Sequence, residues 1–432
     1  MSRLNLTGVF IASLAGLLFG FDTAVISGVT SALREVFALD EGQLGLAVSA
    51  GLVGTCVGAL TMGRLGDAIG GRNALRLIGL MYVVATLGTA FSSGLNWFVA
   101  CRFVLGVAVG GSSVLAPVYI SEIVPANRRG ALVGMFQFNI VFGILLAYLS
   151  NYVVGQLVAG GDAWRWKLGL AVIPSGIFFL LLFTIGQSAR WLVAKGRIEE
   201  ALASLKGFQM ADPAAMIAEF QRSDIGQGKL SWARHKKPII FAVLLALFNQ
   251  LSGINAILYY LNDIFAAAGF DTVSADVQSI AVGGANLLAT LVGMTFIDRI
   301  GRKTLLVIGA VGVTAALTGV AAIMGLGAAK FLLLPLLILF IVSFAFSQGA
   351  VIWVYLSEIF PTPVRATGQS LGSATHWVAN AAIAAVFPIV AAQTKALPFV
   401  FFAVCTLIQL VVVAKWFPET KGVELEDMDK AM

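Results

Sequence analysis

Asp22 and Arg102 stand well inside long apolar stretches of a chain that carries little other interior charge. A charge at the centre of a bilayer-crossing helix costs about 2.5–3.5 kcal/mol, so each needs a partner. Their opposite signs make them each other's. Burial and a neighbouring guanidinium act in opposite directions on a carboxyl's proton affinity. A carboxyl balanced between the two takes a proton when the pair separates and releases it when the pair re-forms. A guanidinium does not deprotonate, so Asp22 is the member able to switch. The alternative is a static ion pair that ties two helices together.

A second set of residues suits recognition of a polar, uncharged ligand. Gln137, Asn249, Gln250, Asn255, Asn286 and Asn380 are carboxamides in apolar surroundings. Such groups donate and accept hydrogen bonds at once, and are costly to bury unless satisfied. Gln250, Ser252-Gly253 and Asn255 fall within about one and a half helical turns, and the glycine allows the backbone to open there. Phe19, Tyr259, Tyr260, Trp353 and Trp377 are aromatic candidates for a ring-facing surface. On residue type alone, helix packing explains these aromatics better.

The elements that must position these groups are membrane helices. Of 432 residues, 59% are hydrophobic and 12% charged, against roughly a quarter charged in soluble globular proteins. So few charges cannot solvate a water-exposed surface, which excludes a soluble enzyme, a disordered chain and a nucleic-acid binder. Cys56, Cys101 and Cys405 lie far apart in apolar runs and form neither a disulfide framework nor a metal site. No phosphate-binding Gly-rich loop and no Ser/His/Asp cluster is present, so no enzyme and no cofactor are expected. The 47 glycines suit close helix packing. The pairs Gly16/Gly20, Gly54/Gly58 and Gly106/Gly110 are expected to pack the first helices together.

A bilayer-crossing helix needs about 20 mostly apolar residues. Twelve such stretches lie between residues 6 and 417, and residues 187–237 form the one long connection. The expected fold is an all-α membrane protein of twelve transmembrane helices in two six-helix bundles. Its parts are an N-terminal bundle (1–186), a cytoplasmic linker of amphipathic helices (187–237), a C-terminal bundle (238–417) and a short tail (418–432). Arg34, Arg165, Lys167, Lys330 and Lys395 fall on one side, while the other Lys and Arg, Arg102 apart, fall on the side of the termini. Both termini are therefore expected in the cytoplasm, in a multi-pass protein of the cell (inner) membrane. Within the linker, Ile198, Leu202 and Leu205 share a face, and Asp212-Pro213 reads as an N-cap followed by proline at the first helical position. Nearby His235-Lys236-Lys237 reads as a topology determinant, with anionic lipid headgroups as a second possibility.

The halves repeat. Ser121-Glu122-Ile123, Pro125 and Arg129 recur as Ser357-Glu358-Ile359, Pro361 and Arg365. Gly63 to Arg72, with Asp67, is echoed by Asp298 to Lys303, with Arg302, and Arg190 by Lys421. Repeated six-span halves fit alternating access. Asp67, Arg72, Glu122, Arg129, Arg190, Asp298, Arg302, Glu358 and Arg365 are thus candidates for a cytoplasmic gate, with Glu122 near Arg129 and Glu358 near Arg365 as ion pairs. Solvated interface charges, worth under about 1 kcal/mol each, are the alternative.

These segments carry a family resemblance. G-F-D-T-A-V-I-S-G (20–28), P-V-Y-I-S-E-I-V-P-A-N-R-R-G (117–130), Q-L-S-G-I-N-A-I-L-Y-Y (250–260), D-R-I-G-R-K (298–303), W-V-Y-L-S-E-I-F-P (353–361) and P-E-T-K-G (418–422) together resemble the sugar porters of the major facilitator superfamily. The bacterial proton–sugar symporters look most similar. The resemblance implies import of a monosaccharide, a hexose or pentose, by proton symport through Asp22 and Arg102. It implies sugar contacts at Gln137, Gln250, Asn255, Asn286, Trp353 and Trp377, with Asn249 and His376 beside them. Phe19, Ile140, Tyr259 and Asn380 would line the cavity, Asn380 chiefly through interhelical hydrogen bonding. Sugar, protons and the lipid bilayer are the expected partners, nucleic acid is not one, and the chain is expected to work as a monomer.

The departures from the family pattern bear on specificity. Asn249 replaces the usual Gln, and His376 stands where Asn or Gln is usual, as a hydroxyl partner, a second titrating group or a tolerated lining residue. Gly349-Ala350 replaces Gly-Pro, so span ten is expected to be less kinked. Gln187-Ser188-Ala189-Arg190 lacks the family's prolines and acid, which weakens one cytoplasmic pair. A passive facilitator is the competing function. A sugar receptor that does not translocate is a third, disfavoured because such receptors usually carry long cytoplasmic tails.

Overall fold

The structure is a computed structural model that describes residues 3–124, 129–158, 160–207, 212–222, 230–361 and 364–421. Among these residues every regular element is helical. Twelve helices are long and apolar enough to cross a membrane: Leu6–Gly28, Glu41–Ile69, Gly71–Ala90, Leu95–Ile123, Leu132–Leu157, Ala163–Leu181, Trp232–Tyr259, Thr272–Ile297, Arg302–Leu326, Lys330–Leu356, Thr367–Gln393 and Leu397–Trp416. They are spans one to twelve below. In hydrocarbon the backbone must satisfy its own hydrogen bonds, which a helix does and an open strand does not. Large apolar side chains such as Val84, Leu180, Leu288 and Phe401 remain exposed, as suits helices whose solvent is lipid.

The chain forms two compact units that cut across its linear halves. The first comprises Met1–Thr23, Ala50–Ala147 and Asp162–Gly226, and the second Ala24–Ser49, Tyr148–Gly161 and Gln227–Met432. Residues from the end of span one to the start of span two therefore pack with the chain's second half.

Within the first unit, the glycine pairs act as expected. A Cβ at Gly20 would fall on the Ile140 carbonyl of span five, and one at Gly106 on the Gly51 carbonyl of span two. Backbones approach so closely only where side chains vanish, and dispersion and helix contacts then hold what water expulsion cannot. Around these contacts lies a core of Leu75, Ile78, Tyr82, Tyr119, Phe136 and Phe178.

The linker also follows its pattern. Helices span Ala189–Ala194, Ile198–Gly207 and Pro213–Arg222, and Leu192, Val193, Ala201, Leu205 and Ile217 bury a small core of their own. The Asp212 carboxylate accepts the Ala215 N–H at 2.9 Å, capping the helix that Pro213 begins. The linker is tied down by Trp191 Nε1, which donates to the Asp67 carbonyl at 2.9 Å, and by Ser204, which donates to the Gln187 carbonyl at 2.8 Å.

Two spans of the second unit are interrupted. The first helix of span seven ends at Leu251, Gly253 adopts φ 81°, and helices Ile254–Tyr259 and Leu261–Ala267 follow. A side chain at Gly253 would be strained and would meet the Phe402 ring. In span ten a π-helical turn, Ala345–Gly349, precedes Ala350. The helix of span ten is thus interrupted by a backbone irregularity that needs no proline.

Gly106→Leu is expected to destabilise the first unit, since overpacking costs roughly 1–3 kcal/mol where neither backbone can withdraw. A lower thermal midpoint of the detergent-solubilised protein checks this.

Candidate functional site

In the first unit, Arg102 Nη1 of span four donates to Asp22 Oδ1 of span one. The side chains are 5% and 16% exposed, so the pair is largely removed from water. A Cβ at Gly51 would come within 3.1 Å of the guanidinium, so span two leaves it room. Arg102 Nε is buried with no hydrogen-bond partner among the described residues. The bond is therefore single-pointed, and the guanidinium has a spare donor for another arrangement. Phe19, Gln137 and Ile140 are each half-buried. Asn139, not singled out in sequence, is buried and donates to Ser13 Oγ at 3.0 Å, a structural tie between spans one and five.

In the second unit, the break in span seven gathers a relay of carboxamides. Gln250 Nε2 donates to Asn249 Oδ1 at 3.0 Å and lies 3.1 Å from both ring nitrogens of His376 in span eleven. Its Oε1 accepts from Asn255 Nδ2 at 3.0 Å. With Gln250 donating, the His376 nitrogen it bonds is an acceptor, so the ring is neutral in this arrangement. His376 sits between two indoles, with ring centroids 5.1 Å from Trp353 and 5.0 Å from Trp377. Trp353 is 41% exposed while Trp377 is buried. Asn380 donates to the Tyr259 hydroxyl at 3.2 Å, the interhelical bond expected of it. Asn286 is buried in span eight. Carboxamides, a neutral imidazole and an exposed indole can trade donors and acceptors with a ligand rich in hydroxyls while offering its ring a flat apolar face.

The charges at span ends pair differently from the expectation. Glu358 is gripped by Arg302, at 2.7 and 3.0 Å, and accepts from the Thr420 hydroxyl at 2.6 Å. Arg365 instead donates to the Phe360 carbonyl at 3.4 Å. The pairing with Arg302 crosses helices and is bidentate, a geometry that favours guanidinium and carboxylate. Glu122 faces Ser188 and Arg190, with Asp67 also near. Asp67 is exposed, and the Arg72 guanidinium bonds its neighbour Asn73 at 3.4 Å. The side chains of Arg129 and Asp298 lie outside the described residues.

The repeat also explains the missing acid. The helix of span nine starts after Gly301, and Glu419 accepts the backbone N–H groups of Arg302 and Lys303 at 2.8 and 3.0 Å. In the first half the helix of span three starts after Gly70, and Gln187 accepts the Arg72 N–H at 3.1 Å. Gly70 and Gly301 have φ 87° and 102°. The side chain at 187 thus caps a helix, which a neutral amide does without the charge that also favours a helix N-terminus.

Sequence reasoning missed an ion cluster at the span ends opposite the chain termini. Arg34 contacts Asp263 at 2.6 Å and Glu41 at 3.3 Å. Arg34 was legible only as a topology signal, because nothing in spacing links it to an acid 229 positions away.

The comparisons agree with this geometry. The model of the family described as "Sugar (and other) transporter" matches residues 8–432. The chain is 34% identical to the "Glucose transporter GlcP" of Staphylococcus epidermidis, covering 97% of this chain and 95% of that protein. It is 31% identical to the "D-xylose-proton symporter" of Escherichia coli K12, covering 97% of this chain and 94% of the relative. An inward-open structure of the E. coli xylose transporter XylE superposes with a TM-score of 0.89 at 30% identity, covering 99% of each chain. The chain belongs to the sugar transporter family, and is a multi-pass cell-membrane protein with the major facilitator fold. Its family consists of transporters, not enzymes.

Glu358→Gln would remove the charge from the acid that the largely buried Arg302 guanidinium holds with two bonds. A loss of about 1–3 kcal/mol is expected for a hydrogen bond to a charged group, read as a lower thermal midpoint, with Glu358→Asp recovering part of it.

Proposed function

We propose that the protein imports a monosaccharide, a hexose or pentose, together with a proton by alternating access. The observation that carries this reading is the Asp22–Arg102 pair, an acid of span one bonded to a base of span four and largely removed from water. A transporter that only equilibrates its substrate has no need of an ionisable carboxyl in hydrocarbon. Protonation of Asp22 neutralises it and releases Arg102, whose unpaired Nε offers a donor for its new surroundings. Return of the ion pair requires loss of the proton, and that order links proton movement to the transport cycle. The xylose relative is named as a proton symporter, which supports coupling in the family, while the name of the glucose relative mentions no coupling ion.

The proposed sugar contacts in the second unit are Gln250, Asn249, Asn255, Asn286, His376, Trp353 and Trp377. Within the first unit, Gln137, Phe19 and Ile140, each half-buried, are candidate sugar contacts by the family resemblance. In the arrangement seen, Gln250 commits both amide hydrogens and its oxygen to neighbours. Sugar hydroxyls exchange for those partners one for one, so binding leaves no buried donor unsatisfied. Asp67, Arg72, Glu122 and Arg190 in the first unit, and Arg302, Glu358 and Arg365 in the second, are proposed cytoplasmic gating residues, with both termini in the cytoplasm.

Asp22→Asn is expected to abolish uphill sugar accumulation in proteoliposomes and to retain equilibrium exchange of labelled sugar. A mutant that still concentrates sugar sinks the coupling assignment. Gln250→Ala should weaken apparent sugar affinity by about tenfold, the equivalent of 1.4 kcal/mol, in the same exchange assay.

A further inference from the structure

The cluster at the span ends opposite the termini is not part of the pair or the sugar relay. Arg34 lies on the helix Thr30–Phe37 that follows span one, Glu41 is the first residue of span two, and Asp263 is in the short helix Leu261–Ala267 that follows span seven. All three belong to the second compact unit. Further bonds gather there. Asn151 donates to the Val25 carbonyl at 3.1 Å, and Tyr148 donates to the Leu258 carbonyl at 3.1 Å. The only charge pairing that joins span seven's end to the region between spans one and two, among the described residues, is Arg34–Asp263.

That pairing is built to be weakened by a proton. One guanidinium serves two carboxylates, so the cluster carries a net charge of about −1 and one proton neutralises it. The contact is single-pointed. Asp263 Oδ2 and Arg34 Nε are both buried without a hydrogen-bond partner among the described residues. Burial pushes the Asp263 carboxyl above the usual carboxylate range, and Arg34 does not fully offset it. The groups around it are few. From span seven comes Tyr260, whose hydroxyl is committed to the Ala384 carbonyl at 2.9 Å. From the helix after span one come Arg34 and Thr30, whose hydroxyl lies within hydrogen-bonding reach of the Asp263 carboxyl and of the Ser27 carbonyl, the latter at 3.4 Å. From span two comes Glu41, and from span eight Asp276, which accepts from Asn262 at 2.5 Å. Lys395 donates to the Ala267 carbonyl at 2.7 Å, at the other end of the short helix.

We propose that Asp263 is a second proton-binding site, facing the outer aqueous phase, whose protonation frees Arg34 and unlatches span seven from the segment between spans one and two. The proton adds to the carboxylate to give a neutral carboxyl and returns to the same phase when the latch re-forms. Arg34 then keeps Glu41 as its partner, so no charge is stranded. This inference rests on the transport reading and on cytoplasmic termini, but the site differs from Asp22. It makes opening toward the outside faster in acid, independently of the proton carried with sugar.

The test is equilibrium sugar exchange in proteoliposomes held at one pH on both sides, which removes any driving force. Wild-type exchange is expected to rise several-fold as pH falls. Asp263→Asn, a neutral isostere already released, should lose most of that rise. Glu41→Gln removes the competing carboxylate, leaves Arg34 to Asp263 alone, and should move the rise to lower pH. In parallel, infrared difference spectra of the reconstituted protein should show a carboxyl C=O band on acidification that Asp263→Asn lacks. A wild-type pH profile or band in Asp263→Asn overturns the proposal. Should the wild type exchange no sugar, the transport reading fails, while the infrared band still decides the proton site.

Discussion

Hydrocarbon does not tolerate an unpaired charge, and the Asp22–Arg102 bond is how this chain places two charges inside its spans. Removing one partner leaves the other stranded, at a cost far above the value of a surface ion pair. Its two residues therefore stay together unless a proton replaces the guanidinium. The packing of the first unit makes room for the same bond. Spans two and four close on Gly51 and Gly106, and the guanidinium lies against Gly51. Small residues at these crossings hold the helices near enough for a side chain of span four to reach span one.

The second unit solves a different problem with neutral groups. Gln250, Asn249, Asn255 and His376 satisfy one another where span seven breaks. The break is needed because a continuous helix would spread these side chains around its axis. Gly253 supplies the backbone conformation, and Phe402 occupies the space its missing side chain leaves.

Features set by local chemistry were legible in sequence. The twelve spans follow from run length, the linker helix from its Asp212-Pro213 start, and the close crossings from paired glycines. The Asp22–Arg102 pairing was legible because elimination left one acid and one base inside the spans. Long-range pairing among many similar charges was not. Glu358 had several basic residues within reach, and only the fold shows that Arg302 takes it with two bonds. The π-turn of span ten is a backbone choice made without proline, so no residue type announces it. Gln187 read as a lost acid, whereas its place over the span-three helix start shows a cap kept in neutral form. Arg34 and Asp263 meet only through packing of segments far apart in the chain.

The most direct test of the central claim is the pH of the medium when sugar is added to de-energised cells or vesicles containing the protein. The external solution should turn alkaline as sugar moves inward, with no change in the Asp22→Asn variant. Sugar uptake at the wild-type rate without any alkalinisation would contradict proton symport and leave a passive facilitator.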